Sequence, residues 1–220
     1  MIITIDGPAG SGKSTVAREL AKVLGVAHLD TGATYRAATL KALRAGVDMT
    51  DQDALAQIAR QADIRLTPHA EGVTVTLDGR DVSGEIRSAE VSDNSHYLAR
   101  SPAVRQVLVA LQREIGAALG SFVSEGRDQG SVVFPDADVK FYLDATAQVR
   151  ARRRCDEMAA RGEKADYDEV LRAIIERDDK DRSRAVAPMV KPAGAVEIDT
   201  TKLTVEQVVA ELSRRVEVGT

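Results

Sequence analysis

Gly7-Pro8-Ala9-Gly10-Ser11-Gly12-Lys13-Ser14-Thr15 is the stretch of sequence that decides the fold. It follows an apolar run, residues 1–5, that is typical of a buried strand, and it precedes apolar residues at helical spacing, Val16 and Leu20 among them. Glycine residues let the backbone turn its N–H groups inward around phosphate oxygens, and the helix start adds the positive end of its dipole. The spacing Gly-x-x-x-x-Gly-Lys-Ser therefore predicts a loop whose residues 7–15 bind the phosphates of a nucleotide.

Two side chains of this loop carry chemistry. Lys13 is expected to place a positive charge on the outer phosphates. The Ser14 hydroxyl is the expected ligand of Mg²⁺, a hard cation that keeps most of its waters and bridges phosphate groups. A glycine-rich turn with only a structural role rarely needs a lysine followed by a hydroxyl residue, so the pattern favours nucleotide binding.

Composition bounds the class of protein. The chain has 220 residues, of which 44% are hydrophobic and 29% charged, as expected for one globular domain with a small insert. A net charge of -4 gives no reason to expect a nucleic acid polymer or an anionic membrane as partner. The single cysteine, Cys155, excludes an internal disulfide, and no apolar stretch approaches the length of a membrane span. We expect a cytoplasmic monomer without a signal peptide, acting on small molecules.

Strands alternate with helices along most of the chain, which predicts an α/β fold with a doubly wound parallel sheet. From Asp63 the period becomes alternating, and Asp78-Gly79 lies between two such runs, a strong hairpin signal. We therefore expect residues 63–100 to form a small inserted antiparallel β lobe with a helical continuation. Residues 1–62 and 101–220 would form the core, and Thr50 would cap the third helix.

A second polar motif, Glu125 to Gly130, directly follows a predicted strand. It would lie at the carboxyl edge of the sheet, where open α/β sheets bind their ligands. Arg127 and Asp128 are thus candidate ligand contacts. The alternative is a surface turn closed by a salt bridge, since turns favour Gly and Asp for local reasons.

Arginines cluster in the stretch from Arg150. Arg150, Arg153 and Arg154 share one helical face at i, i+3 and i+4. Like charges at this spacing repel by a few tenths of a kcal/mol per pair, roughly, and a phosphate ligand would relieve that repulsion. A solvated basic face is the alternative. The link at residues 162–165 that follows is a candidate hinge for a moving helical lid, at about residues 147–166.

A third charged cluster puts Arg177, Lys180, Asp181 and Arg184 at i, i+3, i+4 and i+7. In an ordinary packed helix this face would be the apolar stripe. Its charge means either that the helix end is bathed in solvent or that it faces a polar ligand. Beside a phosphate-binding loop, the ligand interpretation is favoured.

These motifs together carry a family resemblance that covers essentially the full length of the chain. It resembles the bacterial cytidylate kinases, a family of P-loop nucleoside monophosphate kinases, and the segment Val82-Ser83-Gly84-Glu85-Ile86-Arg87 beside an Asp-Gly hairpin is specific to that family. The other shared motifs are the phosphate-binding loop, Leu29-Asp30-Thr31-Gly32-Ala33-x-Tyr35-Arg36, Gly126-Arg127-Asp128, Glu176-Arg177-Asp178-Asp179-x-Asp181-Arg182-x-Arg184 and Ile198-Asp199-Thr200-Thr201.

The resemblance implies a P-loop kinase fold and transfer of a phosphoryl group from Mg-ATP to CMP or dCMP, with ADP as the second product. A core would bind ATP, the inserted lobe would close over the monophosphate, and the lid would cover the reaction. By matching positions, Thr31, Arg105 and Asp128 would address cytosine, Arg36 and Arg127 the monophosphate, Asp181 the sugar hydroxyls and Arg184 both sugar and phosphate. The catalytic set would be Lys13, Arg127, Arg150, Arg153, Arg154 and Arg177.

Two positions depart from the family pattern. His96 stands where the family carries a small hydroxyl residue near the nucleoside, and Gln129 replaces an apolar residue beside Asp128. Two alternatives remain open at this point. One is another small-molecule kinase on the same fold, acting on UMP, AMP or a non-nucleotide acid, and the other is a regulatory module that closes around ATP without transferring phosphate.

Overall fold

A computed structural model describes residues 1–69, 72–160 and 162–218. Two sheets organise the chain. Five strands form a parallel sheet in the order β2-β6-β1-β7-β8, and three form an antiparallel sheet in the order β3-β4-β5. The strands described are β1 (Ile2–Asp6), β2 (Ala27–Asp30), β3 (Ile64–His69), β4 (Gly72–Leu77), β5 (Arg80–Asp81), β6 (Phe122–Gly126), β7 (Val139–Asp144) and β8 (Val196–Asp199).

Helices connect the strands and cover the parallel sheet. They are α1 (Lys13–Leu24), α2 (Thr31–Arg44), α3 (Gln52–Gln61), α4 (Ala89–Ala99), α5 (Pro102–Leu119), α6 (Ala147–Ala160), α7 (Tyr167–Arg182) and α8 (Val205–Val218), with a 3-10 turn at Glu85–Arg87 and a π-helical turn at Gln129–Val133. In the part of the chain that is described, no helix combines the length and the apolar character needed to cross a membrane.

The parallel sheet separates two apolar cores. On one face, Ile3 and Ile5 of β1 pack with α1 and α8. On the other, Leu29 and Phe122 pack with α2, α3 and α5. Leu66 and Leu77 of the antiparallel sheet belong to this second core. The doubly wound parallel sheet and the small antiparallel insert are therefore confirmed, and the insert is anchored on the face that carries α2.

Local sequence signals account for several element ends. Asp78 and Gly79 join β4 to β5 with φ values of 50° and 78°, the positive φ that a two-residue hairpin turn demands. At the start of α8, the Thr204 amide donates to Gln207 Oε1 at 2.9 Å, and the Gln207 amide donates to Thr204 Oγ1 at 3.3 Å, a reciprocal capping box. Gly25 and Gly120 end α1 and α5. The predicted Asp78-Gly79 hairpin is therefore confirmed.

The expected cap of α3 was wrong by one residue. Asp51, not Thr50, is the N-cap, and its Oδ1 accepts from the amides of Asp53 at 3.1 Å and Ala54 at 3.0 Å. The Thr50 hydroxyl instead donates to Asp48 Oδ1 at 2.8 Å. Thr50 and Asp51 are adjacent candidates for the cap. Because the Thr50 hydroxyl is engaged in a turn with Asp48, the Asp51 carboxylate accepts from the free amides of the first helical turn.

Candidate active site

The carboxyl ends of three neighbouring strands bring the predicted motifs together. Because β2, β6 and β1 lie side by side, the register pairs Asp30 with Glu125 and Asp6 with Gly126. The phosphate-binding loop, the start of α2 and the Arg127-Asp128 turn therefore leave the sheet at one edge. This is the edge at which open α/β sheets bind ligands, as the sequence predicted.

The loop at residues 7–12 has backbone geometry that requires glycine. Gly7 has φ 145°, and a Cβ there would lie 2.0 Å from the carbonyl oxygen of Leu143 on β7. Gly12 is the N-cap of α1, so the free amides of the first helical turn face the space that the loop encloses. The loop thus presents backbone donors and the positive end of a helix dipole to one small volume.

Lys13 lies buried inside this loop, where its Nζ donates to the carbonyl oxygen of Pro8 at 2.7 Å. Burial, and after it the positive charge of Arg127, lowers the pKa of Lys13 to about 7, while Glu125 and Asp6 oppose this shift. A phosphate in the loop would favour the charged ammonium. The side chain is therefore held ready for an anion rather than committed to an internal salt bridge.

Ser14 and Glu125 form an oxygen-rich corner beside the loop. The Ser14 hydroxyl donates to Glu125 Oε1 at 2.7 Å, and Glu125 is buried at the end of β6. No group of three or more His, Cys, Asp or Glu side chains that could hold a metal ion occurs among the described residues. One hydroxyl and one carboxylate nevertheless fit Mg²⁺, which takes few protein ligands and keeps water and phosphate oxygens for the rest.

Two arginines of α6 fasten the lid helices to the loop. Arg150 is buried, donates to the carbonyl oxygens of Ala9 and Ala145 at 2.9 Å each, and pairs with Asp178 of α7 at 2.6 Å. Arg153 donates to the backbone oxygen of Thr200 at 2.7 Å. Thus the structure brings Arg150 and Arg153 next to the loop, and Thr200 in turn donates from its hydroxyl to the Ser11 carbonyl oxygen at 3.2 Å.

Arg154 behaves differently from its two neighbours. It pairs with Glu157 of the same helix at 3.2 Å, with more than a third of each side chain exposed. The structure therefore does not bring Arg154 into contact with the loop. Asp178 and Glu157 give Arg150 and Arg154 carboxylate partners, so the repulsion expected along this helix is already balanced within the protein.

A buried ion pair lies at the other end of the cleft. Arg105 of α5 pairs with Asp128, and their side chains are only 5% and 7% exposed. The guanidinium carbon of Arg105 also lies 5.9 Å from the ring centroid of Tyr35, and burial raises the pKa of that tyrosine to about 12. Burying two charges costs free energy of desolvation that their mutual attraction often does not recover, so such a pair is weak evidence for a role in stability. We therefore interpret it as a candidate polar recognition site.

The start of α2 adds a hydroxyl and a third cation. The Thr31 hydroxyl donates to the Glu125 carbonyl oxygen at 2.7 Å. Arg36 pairs with Asp30 at 2.7 Å, and its buried Nε–H has no hydrogen-bond partner among the described residues. An unsatisfied buried donor is uncommon in proteins, and this one belongs to an arginine that the sequence predicts to hold phosphate.

Asp181 organises the cations of α7. Its carboxylate accepts from Arg127 at 2.9 Å and from Arg184, which lies just beyond the helix end. Burial opposes ionisation of Asp181, but the charges of Arg127, Arg184 and Arg177 hold its pKa below the usual range. The Arg177 side chain is exposed, although surrounding protein atoms still remove part of its hydration. That desolvation and then the charge of Arg127 lower the pKa of Arg177 to about 10, so it remains a cation.

Sequence reasoning missed several residues of this site. Asp6, Asp178 and Thr200 received no role, and Glu125 was quoted only as the start of a motif. The signal for Asp6 and Glu125 was present, because each is an acidic residue at the carboxyl end of a buried apolar strand. Asp178 and Thr200 act as partners of arginines far away in sequence, and no local pattern indicates such partners.

Comparison with known proteins places the chain in a family. A sequence model of the family described as cytidylate kinase matches residues 3–218. A cytidylate kinase of Pelotomaculum thermopropionicum is 50% identical, with 99% of this chain and 96% of that protein covered. One from Caldanaerobacter subterraneus is 48% identical over 94% and 90% of the two chains.

A solved structure of an uncharacterized protein from Eubacterium ventriosum matches 99% of this chain and 98% of its own, with a TM-score of 0.51 and 12% identity. That likeness supports the α/β fold alone. The sequence matches go further: they span nearly the whole chain at high identity and agree with the resemblance carried by its motifs. The chain belongs to the cytidylate kinase family.

Proposed function

We propose that this protein transfers the γ-phosphoryl group of Mg-ATP to CMP or dCMP, giving CDP or dCDP and ADP. The observation that carries the proposal is the buried Arg105–Asp128 pair on the same sheet edge as the phosphate-binding loop. A donor loop alone would suit many kinases. The buried pair adds a recognition site of defined polarity for the acceptor.

Cytosine fits that polarity. Its exocyclic amine donates, which suits the Asp128 carboxylate, and its ring nitrogen and carbonyl accept, which suits Arg105 and the Thr31 hydroxyl. Uracil presents a carbonyl in place of the amine, so the same carboxylate would face a second hydrogen-bond acceptor where it needs a donor. A site built to bond a substrate donor rejects the analogue that lacks it, because a buried polar group is then left unpaired.

The remaining cations suit the phosphate and sugar. Arg36 would hold the monophosphate, and its buried Nε–H has no hydrogen-bond partner among the described residues. Arg127, which donates to Asp181, would supply a second guanidinium. Asp181 accepts from Arg127 and Arg184. If sugar hydroxyls donated to Asp181 and phosphate oxygens accepted from the two arginines, each of these groups would stay hydrogen-bonded. The Asp181 side chain is only 4% exposed. Water therefore screens its charge poorly, and a small displacement of either arginine would change the interaction energy of the carboxylate.

Phosphoryl transfer makes modest covalent demands on a protein, so positioning and charge neutralisation dominate. Lys13 holds the outer phosphates of ATP, while Arg127 and Arg177 lie between the two substrate sites and offer donors to the transferring oxygens. Arg150 and Arg153 keep the lid helices against the loop, and Arg154 would join them only if the lid moved. No dedicated general base is required in this scheme.

Ser14 and Glu125 would hold the Mg²⁺ that accompanies ATP, Ser14 through its hydroxyl and Glu125 through its carboxylate. When bound there, the ion supplies neutralisation of phosphate charge. Glu125 also accepts from Ser14 at 2.7 Å, which orients the hydroxyl lone pairs. Loss of Glu125 is therefore expected to raise the Mg²⁺ concentration needed for half-maximal turnover.

The same proposal divides the chain by role. Residues 1–62 and 101–220 would act as the ATP-binding core, with a lid at about residues 147–166, and residues 63–100 would close over the monophosphate. The anchoring of the small sheet on the α2 face supports this, because α2 carries Thr31 and Arg36. Closure over both substrates would exclude water that otherwise hydrolyses ATP.

An acceptor panel tests the proposal. The protein is mixed with Mg-ATP and CMP, dCMP, UMP or AMP in turn, ADP release is followed, and the diphosphate product is identified. We expect turnover with CMP or dCMP well above that with UMP and AMP, and none after Mg²⁺ is removed by a chelator. Equal or faster turnover of UMP or AMP would refute the assignment of the acceptor.

A further inference from the structure

The turn that follows Asp128 is held at both ends by charged side chains from outside it. Residues Gln129–Val133 form a single π-helical turn that begins directly after Asp128. Such a short turn has free amides at its start and free carbonyl oxygens at its end. Its few internal bonds cannot fix its orientation, so external partners decide where the preceding residue points.

Asp6 binds the start of the turn. One carboxylate oxygen accepts from the Gln129 amide at 2.7 Å, and the other accepts from the Gly130 amide at 2.8 Å. Asp6 is fully buried at the last position of β1, immediately before the phosphate-binding loop. One side chain thus links the end of the donor strand to the residues next to Asp128.

Arg113 binds the other end of the turn. Its Nε donates to the Val133 carbonyl oxygen at 2.9 Å, and its Nη2 donates to that of Val132 at 2.8 Å. Arg113 lies on α5, the helix that also carries Arg105, the partner of Asp128. An anion at the start and a cation at the end match the dipole of the turn.

We propose that Asp6 and Arg113 are positioning residues that clamp the 129–133 turn and so hold the Asp128 carboxylate in the direction needed to select the acceptor base. The proposal rests on the function proposed above. It makes acceptor selectivity depend on two residues that touch neither substrate. It also gives β1 a role on the acceptor side as well as the donor side.

Asp6→Asn and Arg113→Ala test the clamp. The amide of Asn can accept from only one of the two backbone amides, and its own NH₂ group meets the other donor. We expect KM for CMP to rise about tenfold in Asp6→Asn and about threefold in Arg113→Ala. The ratio of kcat/KM for CMP to that for UMP should fall in both, while KM for ATP changes less than about twofold.

Thr4→Val is the matched control, because Thr4 lies on the same strand, is fully buried, and has a hydroxyl without a hydrogen-bond partner in the described structure. It should keep the selectivity of the unmodified protein. Arg113→Lys retains one charged donor and should recover part of the loss in Arg113→Ala. Arg113 is exposed at the surface, so its variants should fold even if Asp6→Asn does not, and they then decide the test.

Three results overturn the clamp: unchanged KM for CMP in variants that fold, equal increases of KM for CMP and ATP, or the same loss of selectivity in Thr4→Val. The second would mean that Asp6 acts through the charge of Lys13 instead. A different result, in which the unmodified protein does not prefer CMP over UMP, refutes the proposed function rather than the clamp.

Discussion

The two sides of the cleft that we propose to bind the donor and the acceptor are built in opposite ways. The proposed donor loop at residues 7–15 is contiguous in sequence. It offers backbone amides and one lysine that has no carboxylate partner in hydrogen-bond contact among the described residues. The proposed acceptor side is assembled from α2, α5, the turn after β6 and the end of α7, and four of its arginines are already paired with carboxylates: Arg36, Arg105, Arg127 and Arg184. In our proposal, the donor loop binds phosphate with groups that have no carboxylate to release. The arginines of the acceptor side must instead exchange carboxylate partners for the substrate.

Substitutions on the two sides should therefore affect different properties, namely turnover on the donor side, and substrate affinity and stability on the acceptor side. Changes on the donor side remove charge from the reacting phosphates and leave the core intact. Changes on the acceptor side break buried ion pairs, so they alter substrate affinity and the free energy of unfolding together. Five variants examine this contrast, from the largest expected effect to the smallest.

Lys13→Ala should give the largest loss. Removal of the only side-chain charge inside the donor loop is expected to lower kcat by about 10² to 10⁴, because catalysis here depends on charge placed at the phosphates. The circular dichroism spectrum and thermal midpoint should stay close to those of the unmodified protein. Lys191→Ala, at an exposed lysine paired with Glu197, is the control, and near-normal turnover of Lys13→Ala would contradict the role of Lys13.

Asp128→Ala should raise KM for CMP by about 100-fold with a much smaller change for ATP, and it should lower the free energy of unfolding by about 3 kcal/mol or more, since Arg105 is left as a buried unpaired charge. Steady-state kinetics and urea unfolding measure the two effects. If the affinities for CMP and ATP fell equally, Asp128 would be a structural turn residue.

The double variant Arg105→Met with Asp128→Leu sharpens this prediction. Apolar residues in place of a buried ion pair often restore stability, so the free energy of unfolding should recover while CMP affinity does not. Recovery of both would show that the pair serves the fold and not the base.

The pH dependence of stability probes Asp6, which joins the two sides. Burial raises the pKa of Asp6 from 3.8 to about 6, although the amides of Gly130 and Gln129 oppose the shift. Between these pH values the folded protein keeps a proton that the unfolded chain releases. Raising the pH through this window therefore lowers the free energy of unfolding, by up to about 3 kcal/mol from this group.

Asp6→Asn removes that titration. The free energy of unfolding of Asp6→Asn minus that of the unmodified protein should therefore increase as the pH rises from about 4 to about 6, whatever its sign at the lower pH. Urea unfolding at a series of pH values measures this difference. Thr4→Val should run parallel to the unmodified protein, and parallel curves for Asp6→Asn would contradict the raised pKa.

The smallest effect concerns α3, whose residues pack in the core beneath the acceptor side. Asp51→Ala should lower the free energy of unfolding by about 1 kcal/mol through loss of the helix cap, whereas Thr50→Ala should cost only a few tenths. Neither should change kcat or KM. The reverse order of the two stabilities in thermal or urea unfolding would contradict the cap that the structure assigns.

Local signals predicted most elements and their ends. The glycine-rich loop and the Asp78-Gly79 hairpin each depend on residues within a few positions of one another, so the sequence alone predicted them. Thr50 shows the limit of such reading. Two capping residues stood side by side, and Asp48, which the prediction did not weigh, decided between them.

Long-range partners were not predictable in the same way. Three arginines of α6 are equivalent as a sequence pattern but have different partners among the described residues. Arg150 binds Ala9 and Asp178, Arg153 binds Thr200, and Arg154 pairs with Glu157 of its own helix. Asp6 looked like an ordinary strand end, although both its oxygens hold a turn more than a hundred residues away.

The sequence by itself predicted a phosphate-binding loop after β1, and its motifs indicated the family, because glycine turns, caps and helical spacing act over a few residues. Only the tertiary structure decided which cations pair with carboxylates inside the protein and how Asp6 and Arg113 hold the turn beside Asp128. Those choices depend on burial and on distances between elements remote along the chain, since the strength of a charge interaction is set by its surroundings in the folded protein.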